Sequence, residues 1–250
     1  MKKKIVALCL CVALAVVAIG GATLAYFTDT DEAKNTFTVG NVEIKLDETN
    51  VDDPQGDRVQ ANSYKLIPGV SYVKDPTITV LKGSEDCYVR MKVTLNNASE
   101  AMAMCLAPGF DAEDYTESMM KLVLLAGNGM LGFNQISSYY WLGINPELGT
   151  LDMEKKANDT KYCIYDKEAD TITYIYYYYN EFESTGIVHS ADADVTLPVL
   201  FEKVMTPAAA TSEQLAALKD FEINVVAEAI QTSDNFANAD EAWAAFDAQK

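Results

Sequence analysis

Histidine is almost absent from the chain, because His189 is the one histidine among 250 residues. A zinc peptidase of the HExxH type needs two histidines one helical turn apart and a glutamate base, so a single histidine excludes that site. His189 with Asp192 and Asp194 would hold a metal weakly, and an exposed loop histidine is the favoured interpretation. The sequence also lacks a G-x-S-x-G elbow and a phosphate-binding glycine loop. It therefore predicts a non-catalytic protein with no metal and no cofactor.

Basic residues are scarce: 19 lysines and arginines stand against 37 aspartates and glutamates, a formal net charge of −18. Binding to nucleic acid or to an anionic membrane needs basic side chains that displace counterions from phosphate, so the composition argues against both partners. Acidic runs occur at 29–32 and 47–53. None matches the EF-hand pattern, so they are interpreted as solvated loops, with calcium binding left open.

Cysteine is too sparse for a disulfide framework. Of the five cysteines, Cys9 and Cys11 belong to the N-terminal apolar run, which leaves Cys87, Cys105 and Cys163. One disulfide plus a free thiol remains open, but buried reduced cysteines are the favoured prediction because the spacing fits no metal cluster.

One long apolar run is present, at the N-terminus. It covers Ile5–Ile19, follows three lysines and is 15 residues long, short of the roughly 20 residues that a membrane-spanning helix needs. Small residues before the junction of Ala25 and Tyr26 predict cleavage there, with an uncleaved anchor as the alternative. Removal of residues 1–25 takes the formal charge from −18 to −21 and leaves 26–250, which we interpret as one domain. The sequence therefore predicts a secreted protein with no stable membrane insertion after cleavage.

Alternating apolar and polar residues predict antiparallel strands toward both ends of this domain. The alternation is clearest in Cys87–Leu95 and Phe221–Ala229, each expected to have one face on a core and one on water. Thr77–Leu81 is a short β-branched run. In 36–47 the apolar parity changes across Gly40-Asn41, as a β-bulge or kink would change it.

The middle of the chain adds a hairpin and short helices. Lys161–Tyr165 and Thr171–Tyr179 flank a polar turn and form the expected hairpin. Its tyrosines either recognise a partner or, as we favour, occupy both faces of a wide strand. Apolar spacing predicts a helix over Asp111–Leu125, with Tyr115, Met119 and Leu122 on one face. Helix caps are predicted at Thr211 and Asn238, the latter before a helix whose Trp243 and Phe246 are expected to cover a sheet edge.

The junction between the signal and the mature chain resembles the start of the TasA/camelysin family of exported bacterial proteins. Members share small residues before the cut, an A-[YF]-F-x-D motif at it, and an N-x-F-x-x-G-x-[VIL]-x-[IL] strand. The matching residues here are Ala25, Tyr26, Phe27 and Asp29, then Asn35, Phe37, Gly40, Val42 and Ile44. Leu66-Ile67-Pro68-Gly69 is similar to the family's L-x-P-G turn.

The resemblance implies a mainly β, jelly-roll-like antiparallel sandwich with a few short peripheral helices. It also implies cleavage by a signal peptidase of the SipW type and self-association into extracellular biofilm-matrix fibres, with sister matrix subunits as further partners. In family fibres, the N-terminal segment of one subunit completes the sheet of the next. Segment 26–47 is therefore the expected donor strand, and these apolar residues are expected to fill pockets of the accepting subunit: Phe37, Val39, Val42, Ile44 and Leu46.

Two other functions stay open at this stage. Camelysin-type members have been labelled metalloproteases, an activity that the single histidine argues against. A monomeric cell-surface adhesin that uses the tyrosine-rich hairpin is the third interpretation.

Overall fold

The computed structural model describes residues 28–32, 35–39, 42–106, 109–125, 129–133, 137–144 and 152–249. The predicted signal 1–25 and its cleavage position, Ala25 and Tyr26, lie outside these residues. Gly40 and Asn41, the position of the predicted bulge, also lie outside them.

The largest sheet contains eight antiparallel strands. They are β1 Thr28–Glu32, β2 Asn35–Val39, β6 Cys87–Leu95, β8 Trp141–Leu142, β9 Cys163–Asp166, β10 Thr171–Tyr178, β11 Ile187–Val188 and β14 Ile223–Gln231. Their order is β2-β1-β14-β6-β10-β8, with β11 also beside β6 and β9 also beside β10. Strand β6 lies at the centre, and β14 pairs with its whole length, from Ile223 opposite Leu95 to Gln231 opposite Cys87.

Two three-stranded sheets complete the architecture. Their strands are β3 Ile44–Asp47, β4 Ser71–Val73, β5 Thr77–Val80, β7 Leu131–Gly132, β12 Val195–Thr196 and β13 Lys203–Met205. One sheet has the order β12-β5-β3, and the other β4-β13-β7. Residues of β3 and β5 share one hydrophobic core with β6, β10 and β14. The described structure is thus mainly β and antiparallel, and the predicted fold class is confirmed.

The central strand follows the predicted alternation closely. Cys87, Val89, Met91, Val93 and Leu95 are all at most 1% exposed and form the middle of the core. Val225, Ala227 and Ala229 of β14 lie beside them on the same face. The period-2 pattern therefore identified the core face of both strands.

Five short α-helices lie outside the sheets in the described ranges: α1 Ala98–Met104, α2 Glu117–Leu122, α3 Met153–Ala157, α4 Ser212–Ala217 and α5 Ala239–Asp247. Both predicted caps are confirmed. Thr211 accepts from the backbone N–H of Gln214, whose side chain accepts from Thr211 N–H in return. Asn238 accepts from Glu241 N–H at 3.1 Å.

The helix predicted over Asp111–Leu125 is shorter than expected. A 3-10 turn occupies Ala112–Asp114, and Tyr115 is extended, with φ −113° and ψ 142°. Thr116 then accepts from Met119 N–H and starts α2 afresh. Tyr115 therefore lies outside the helix, and the predicted common helix face of Tyr115, Met119 and Leu122 is wrong. The local cap at Thr116 outweighs the weak helical periodicity around it.

The predicted tyrosine hairpin is confirmed as β9 and β10, joined in register from Thr171 opposite Asp166. Tyr174 and Tyr176 are fully buried in the main core, where their hydroxyls donate to the carbonyls of Lys121 and Ile144. Tyr177 belongs to the opposite face and packs beside Trp243. Tyrosine therefore occupies both faces of one strand, as favoured from the sequence.

The second face of β6 and β14 is covered at Arg90 and Glu228, whereas Asn224 farther along the same face is exposed, so the expectation of a wholly solvent-facing side is corrected in part. Helix α5 covers this face with Trp243 and Phe246 instead of covering a sheet edge. Beneath the helix, Arg90 and Glu228 are each 1% exposed although the alternation placed both on the solvent side. Arg90 Nε donates to Glu228 Oε2 at 2.5 Å, and its guanidinium also binds Asp247 of α5. The buried charges are tolerated because they are paired.

Candidate assembly edge and adjoining ionic cleft

The N-terminal strands form one end of the large sheet. Strand β1 pairs with β14 on one side, from Thr28 opposite Ile230 to Asp31 opposite Ala227. On its other side it pairs with β2, from Thr28 opposite Val39 to Glu32 opposite Asn35. Strand β2 is the last in the order, so its outer edge has no strand partner among the described residues. Unpaired edges of this kind accept a further strand readily.

The residues predicted to act as a donor strand divide between two sheets. Phe37 and Val39 are in β2, opposite Thr30 and Thr28 of β1. Val42, Ile44 and Leu46 are at most 7% exposed and belong to the main core. Strand β3 pairs with β5 in the second sheet. The expected single strand with a kink is therefore wrong: the chain passes from one sheet to the other between Val39 and Ile44.

An arginine clip holds the chain just after β3. Arg58 Nε binds Asp47 at 2.5 Å, and Arg58 Nη1 binds Asp75 at 3.0 Å. Its Nη2 donates to the Asp75 carbonyl at 2.9 Å and to the hydroxyl of Thr77 at 2.9 Å. The planar guanidinium suits this task because it presents several donors in a fixed geometry. One side chain thus fastens the loop 49–58 to the start of β5.

Asp75 is held as a carboxylate within this clip. Burial disfavours its charged form, but hydrogen bonds from the backbone and side chain of Thr49 and from Arg58 outweigh burial, so the pKa of Asp75 is lowered. Thr49 N–H donates to Asp75 Oδ1 at 2.7 Å, and Thr49 Oγ1 donates to Oδ2 at 2.8 Å. The acidic run 47–53 is therefore not simply a solvated loop: Asp47 and Glu48 are 7% and 3% exposed and ion-paired.

A cleft of about 600 Å³ opens beside this clip. The first residues of β14 and the residues just before it form one wall, and the segment 60–66 forms another. Glu48 and Lys74 lie in the cleft and form a buried ion pair at 2.7 Å, with Asn62 and Tyr64 beside them. Both polar and apolar side chains line the cleft, as in many binding clefts.

His189 is exposed, as predicted for a loop histidine. Its side chain is 64% exposed, and Nδ1 lies 2.7 Å from Asp86. Asp194 accepts from the backbone N–H of Lys82 at 2.7 Å and so has a structural role. Within the described ranges, no three histidine, cysteine, aspartate or glutamate side chains are grouped to hold a metal ion.

The three cysteines among the described residues are buried and free, as favoured from the sequence. Burial raises the pKa of the thiols of Cys87, Cys105 and Cys163 to about 12. They are consequently small apolar core residues, not nucleophiles.

Sequence reasoning missed both buried ionic clusters. Arg90 and Glu228 are the charged members of polar faces on two strands, and they lie directly opposite each other in the ladder. Glu48, Asn62 and Lys74 are separated by 26 residues at most and do not form a recognisable sequence motif. Knowledge of the strand register would have placed Arg90 opposite Glu228. The contact of Asn62 and Lys74 with Glu48 is visible only in the folded chain.

These features define a class: a mainly β, antiparallel protein with an N-terminal hairpin at a sheet edge. Residues 1–66 match the family model described as camelysin metallo-endopeptidase. Over these first 66 residues, the match supports the predicted resemblance to the TasA/camelysin family. None of the curated proteins and none of the solved structures compared with the chain matches it. In the part of the chain that the structure describes, no helix is long and apolar enough to cross a membrane.

Proposed function

We propose that the protein is a secreted structural subunit of extracellular biofilm-matrix fibres, assembled when its N-terminal segment joins the sheet of a neighbouring subunit. The observation that carries the proposal is the place of β1. It is the first described strand, it pairs with β14 at one end of the large sheet, and only β2 lies beyond it. A strand tethered at one end can exchange the same ladder with an identical neighbour.

Exchange of this kind leaves the number of strand hydrogen bonds unchanged. Each β1–β14 hydrogen bond broken within a subunit forms again between two subunits, because donor and acceptor have the same sequence. The interface is head-to-tail and does not close, so it propagates into a filament. The strongly negative charge keeps free subunits apart until this specific pairing forms.

The burial of residues after β2 limits the part of 26–47 for which we propose exchange. Val42, Ile44 and Leu46 are buried among residues of the main core, so withdrawing β3 would open that core. Exchange confined to β1 and β2 leaves these three residues in place. We therefore assign the donor role to 26–39 and treat β3 as its anchor.

A cysteine-mixing experiment tests the exchange directly. Secreted Asp29→Cys and Ala229→Cys variants are prepared separately, mixed, assembled and oxidised, because Asp29 lies opposite Ala229 in the ladder. Strand exchange predicts a disulfide-linked dimer on non-reducing gels. Lys167→Cys, an exposed position, replaces Asp29→Cys in the control mixture and is expected to give none. Fibres that assemble without the Asp29–Ala229 dimer would refute donor exchange.

A deletion tests the need for the segment. Removal of 26–39 is expected to leave a folded monomer by light scattering and no fibres by electron microscopy. Deletion of all of 26–47 is a poorer test, because it also removes Ile44 and Leu46 from the core. Fibres formed by the shorter deletion would contradict the proposal.

Export and maturation form a second part of the proposal. A signal peptidase of the SipW type cuts between Ala25 and Tyr26, and sister matrix subunits join the same fibre. N-terminal sequencing of the secreted chain, with and without such a peptidase in the host, tests the cut. A secreted chain that still begins at Met1 would contradict it.

The family description raises peptidase activity as the competing function. His189, the one histidine, is exposed and paired with Asp86 instead of facing a second ligand in the described structure. Casein cleavage, measured with and without a chelator on the wild type and on His189→Ala, separates the functions. Chelator-sensitive cleavage that His189→Ala abolishes would favour the peptidase.

A further inference from the structure

Three side chains with complementary chemistry meet in the ionic cleft. Glu48 directly follows β3, Lys74 directly follows β4, and Asn62 lies in the segment between these strands. Lys74 Nζ lies 2.7 Å from Glu48 Oε2, and Asn62 Nδ2 donates to Glu48 Oε1 at 2.9 Å. One carboxylate therefore holds an amine with one oxygen and a carboxamide with the other.

The backbone fixes each of the three groups. Glu48 exchanges two hydrogen bonds with Val59, at 2.7 and 2.9 Å, and Lys74 N–H donates to the carbonyl of Glu202 at 3.1 Å. The Asn62 amide is held on both sides as well. Its Oδ1 accepts from Val51 N–H at 3.0 Å, and its Nδ2 also donates to the Thr49 carbonyl at 2.8 Å. Such fixed placement converts an encounter between groups into an intramolecular step.

We propose that Lys74 and Asn62 become joined by an amide bond between their side chains, with Glu48 as the acid–base catalyst. A proton first passes from Lys74 Nζ to Glu48, which leaves a neutral amine and a neutral acid. The amine attacks Asn62 Cγ, so the Nζ–Cγ bond forms and negative charge develops on Oδ1. The Val51 N–H already points at Oδ1 and stabilises that charge.

Loss of ammonia completes the reaction. Glu48 returns its proton to Nδ2, the Cγ–Nδ2 bond breaks, and ammonia leaves. The new amide nitrogen then gives its surplus proton to Glu48, which ends as the neutral acid. Atoms and charge balance: a lysine amine and an asparagine amide become one secondary amide and one ammonia, with no oxidant or reductant. General acid–base transfer of this kind needs contact between the carboxyl and both nitrogens, which the structure provides.

Burial of the ion pair favours the amide product, and the open cleft lets ammonia leave. Lys74 and Glu48 are 8% and 3% exposed, so the ion pair carries a desolvation cost that the amide product removes. The first proton transfer changes no net charge within the cleft. Apolar side chains of Leu46, Phe221 and Val225 line the cleft, whose opening provides a path for ammonia.

The bond would close a covalent loop between positions 62 and 74. This loop would restrict the segment that contains the Pro68-Gly69 turn. It adds a covalent tie beside the start of β14, the strand that receives β1. The inference does not depend on fibre assembly, because the three residues belong to one subunit.

Mass spectrometry of the secreted full-length mature chain tests the inference. The expected intact mass is about 17 Da below the value calculated from the sequence, because one ammonia has left. Trypsin should then yield a branched peptide, in which Val59–Lys65 is joined to Leu66–Lys82, because a modified Lys74 resists cleavage. A succinimide elsewhere in the chain would cause the same mass loss but would leave Val59–Lys65 linear.

Variants assign the roles. Lys74→Arg and Asn62→Ala remove a reacting group, and Glu48→Gln keeps the shape of the side chain without the acid; all three should give linear peptides. Circular dichroism confirms that each variant is folded. A linear Val59–Lys65 peptide from the wild type would overturn the cross-link, whatever the variants do. A branched peptide in Glu48→Gln would overturn the catalytic role of Glu48.

Discussion

Arg90 provides the most demanding test of how the second face of the large sheet is held. Its side chain is 1% exposed and binds Glu228 Oε2 at 2.5 Å. Its guanidinium lies 4.3 Å from the ring centre of Trp243 and 5.2 Å from that of Phe246. Asp247 binds it from the end of α5. One side chain thus joins the sheet to the helix that covers it.

The cost of Arg90→Ala follows from what the change leaves behind. Glu228 would stay buried, and Lys92, at 3.2 Å, would offset part of its charge. Breaking a buried ion pair by removing one partner costs about 3–5 kcal/mol. Removal of the cation–π interaction adds about 0.5–2 kcal/mol, and the remaining Lys92 reduces the total. We expect the free energy of unfolding to fall by about 4 kcal/mol.

Urea unfolding followed by tryptophan fluorescence measures this value. The double variant Arg90→Met with Glu228→Leu removes both buried charges at once and should recover most of the stability, because Asp247, the other carboxylate that Arg90 binds, is half exposed and water can solvate it. Lys167→Ala is the surface control, and no change is expected from it. The reasoning is wrong if Arg90→Ala costs less than about 1 kcal/mol, or if the double variant is as unstable as the single one.

Three further predictions follow from local features. Burial raises the pKa of the three thiols to about 12, so they should resist an aromatic disulfide reagent near neutral pH in the native state; they are Cys87, Cys105 and Cys163. In urea all three should react fully. Rapid reaction in the native state would contradict this prediction. The pKa of Asp75 is lowered by folding, so its contribution to stability is present above the ordinary value of 3.8 and lost as pH falls toward the folded-state value; Asp75→Asn should flatten that dependence in acid unfolding curves. Gly69→Ala should cost about 1–2 kcal/mol in thermal unfolding, because φ is +74°; an unchanged midpoint would show that the turn relaxes.

Local patterns in the sequence predicted the regular elements well. The alternation in Cys87–Leu95 identified β6 and its core face residue by residue. The capping signatures at Thr211 and Asn238 located the starts of α4 and α5. These predictions succeed because a strand period or a cap depends on residues within a few positions of one another.

Patterns failed where a distant element decides the environment. The polar face of β6 and β14 has the pattern of a solvent-exposed surface, but Arg90 and Glu228 on this face are buried because α5 packs over them. In the same way, the acidic run 47–53 has the pattern of a solvated loop, but Arg58 binds Asp47 and Lys74 binds Glu48. Burial and pairing of a charge depend on partners that local periodicity does not contain.

For the candidate site too, some features could be predicted from the sequence and others could not. The sequence by itself predicted the family resemblance, the apolar strand character of 36–47 and the position of the signal. Only the tertiary structure decided that this segment serves two sheets, with β1 and β2 at an edge and Val42, Ile44 and Leu46 in the core. It alone brought the side chains of Asn62 and Lys74 into contact with the carboxylate of Glu48. The physical reason is that hydrogen bonding and charge pairing act through space, whereas a sequence pattern records only neighbours along the chain.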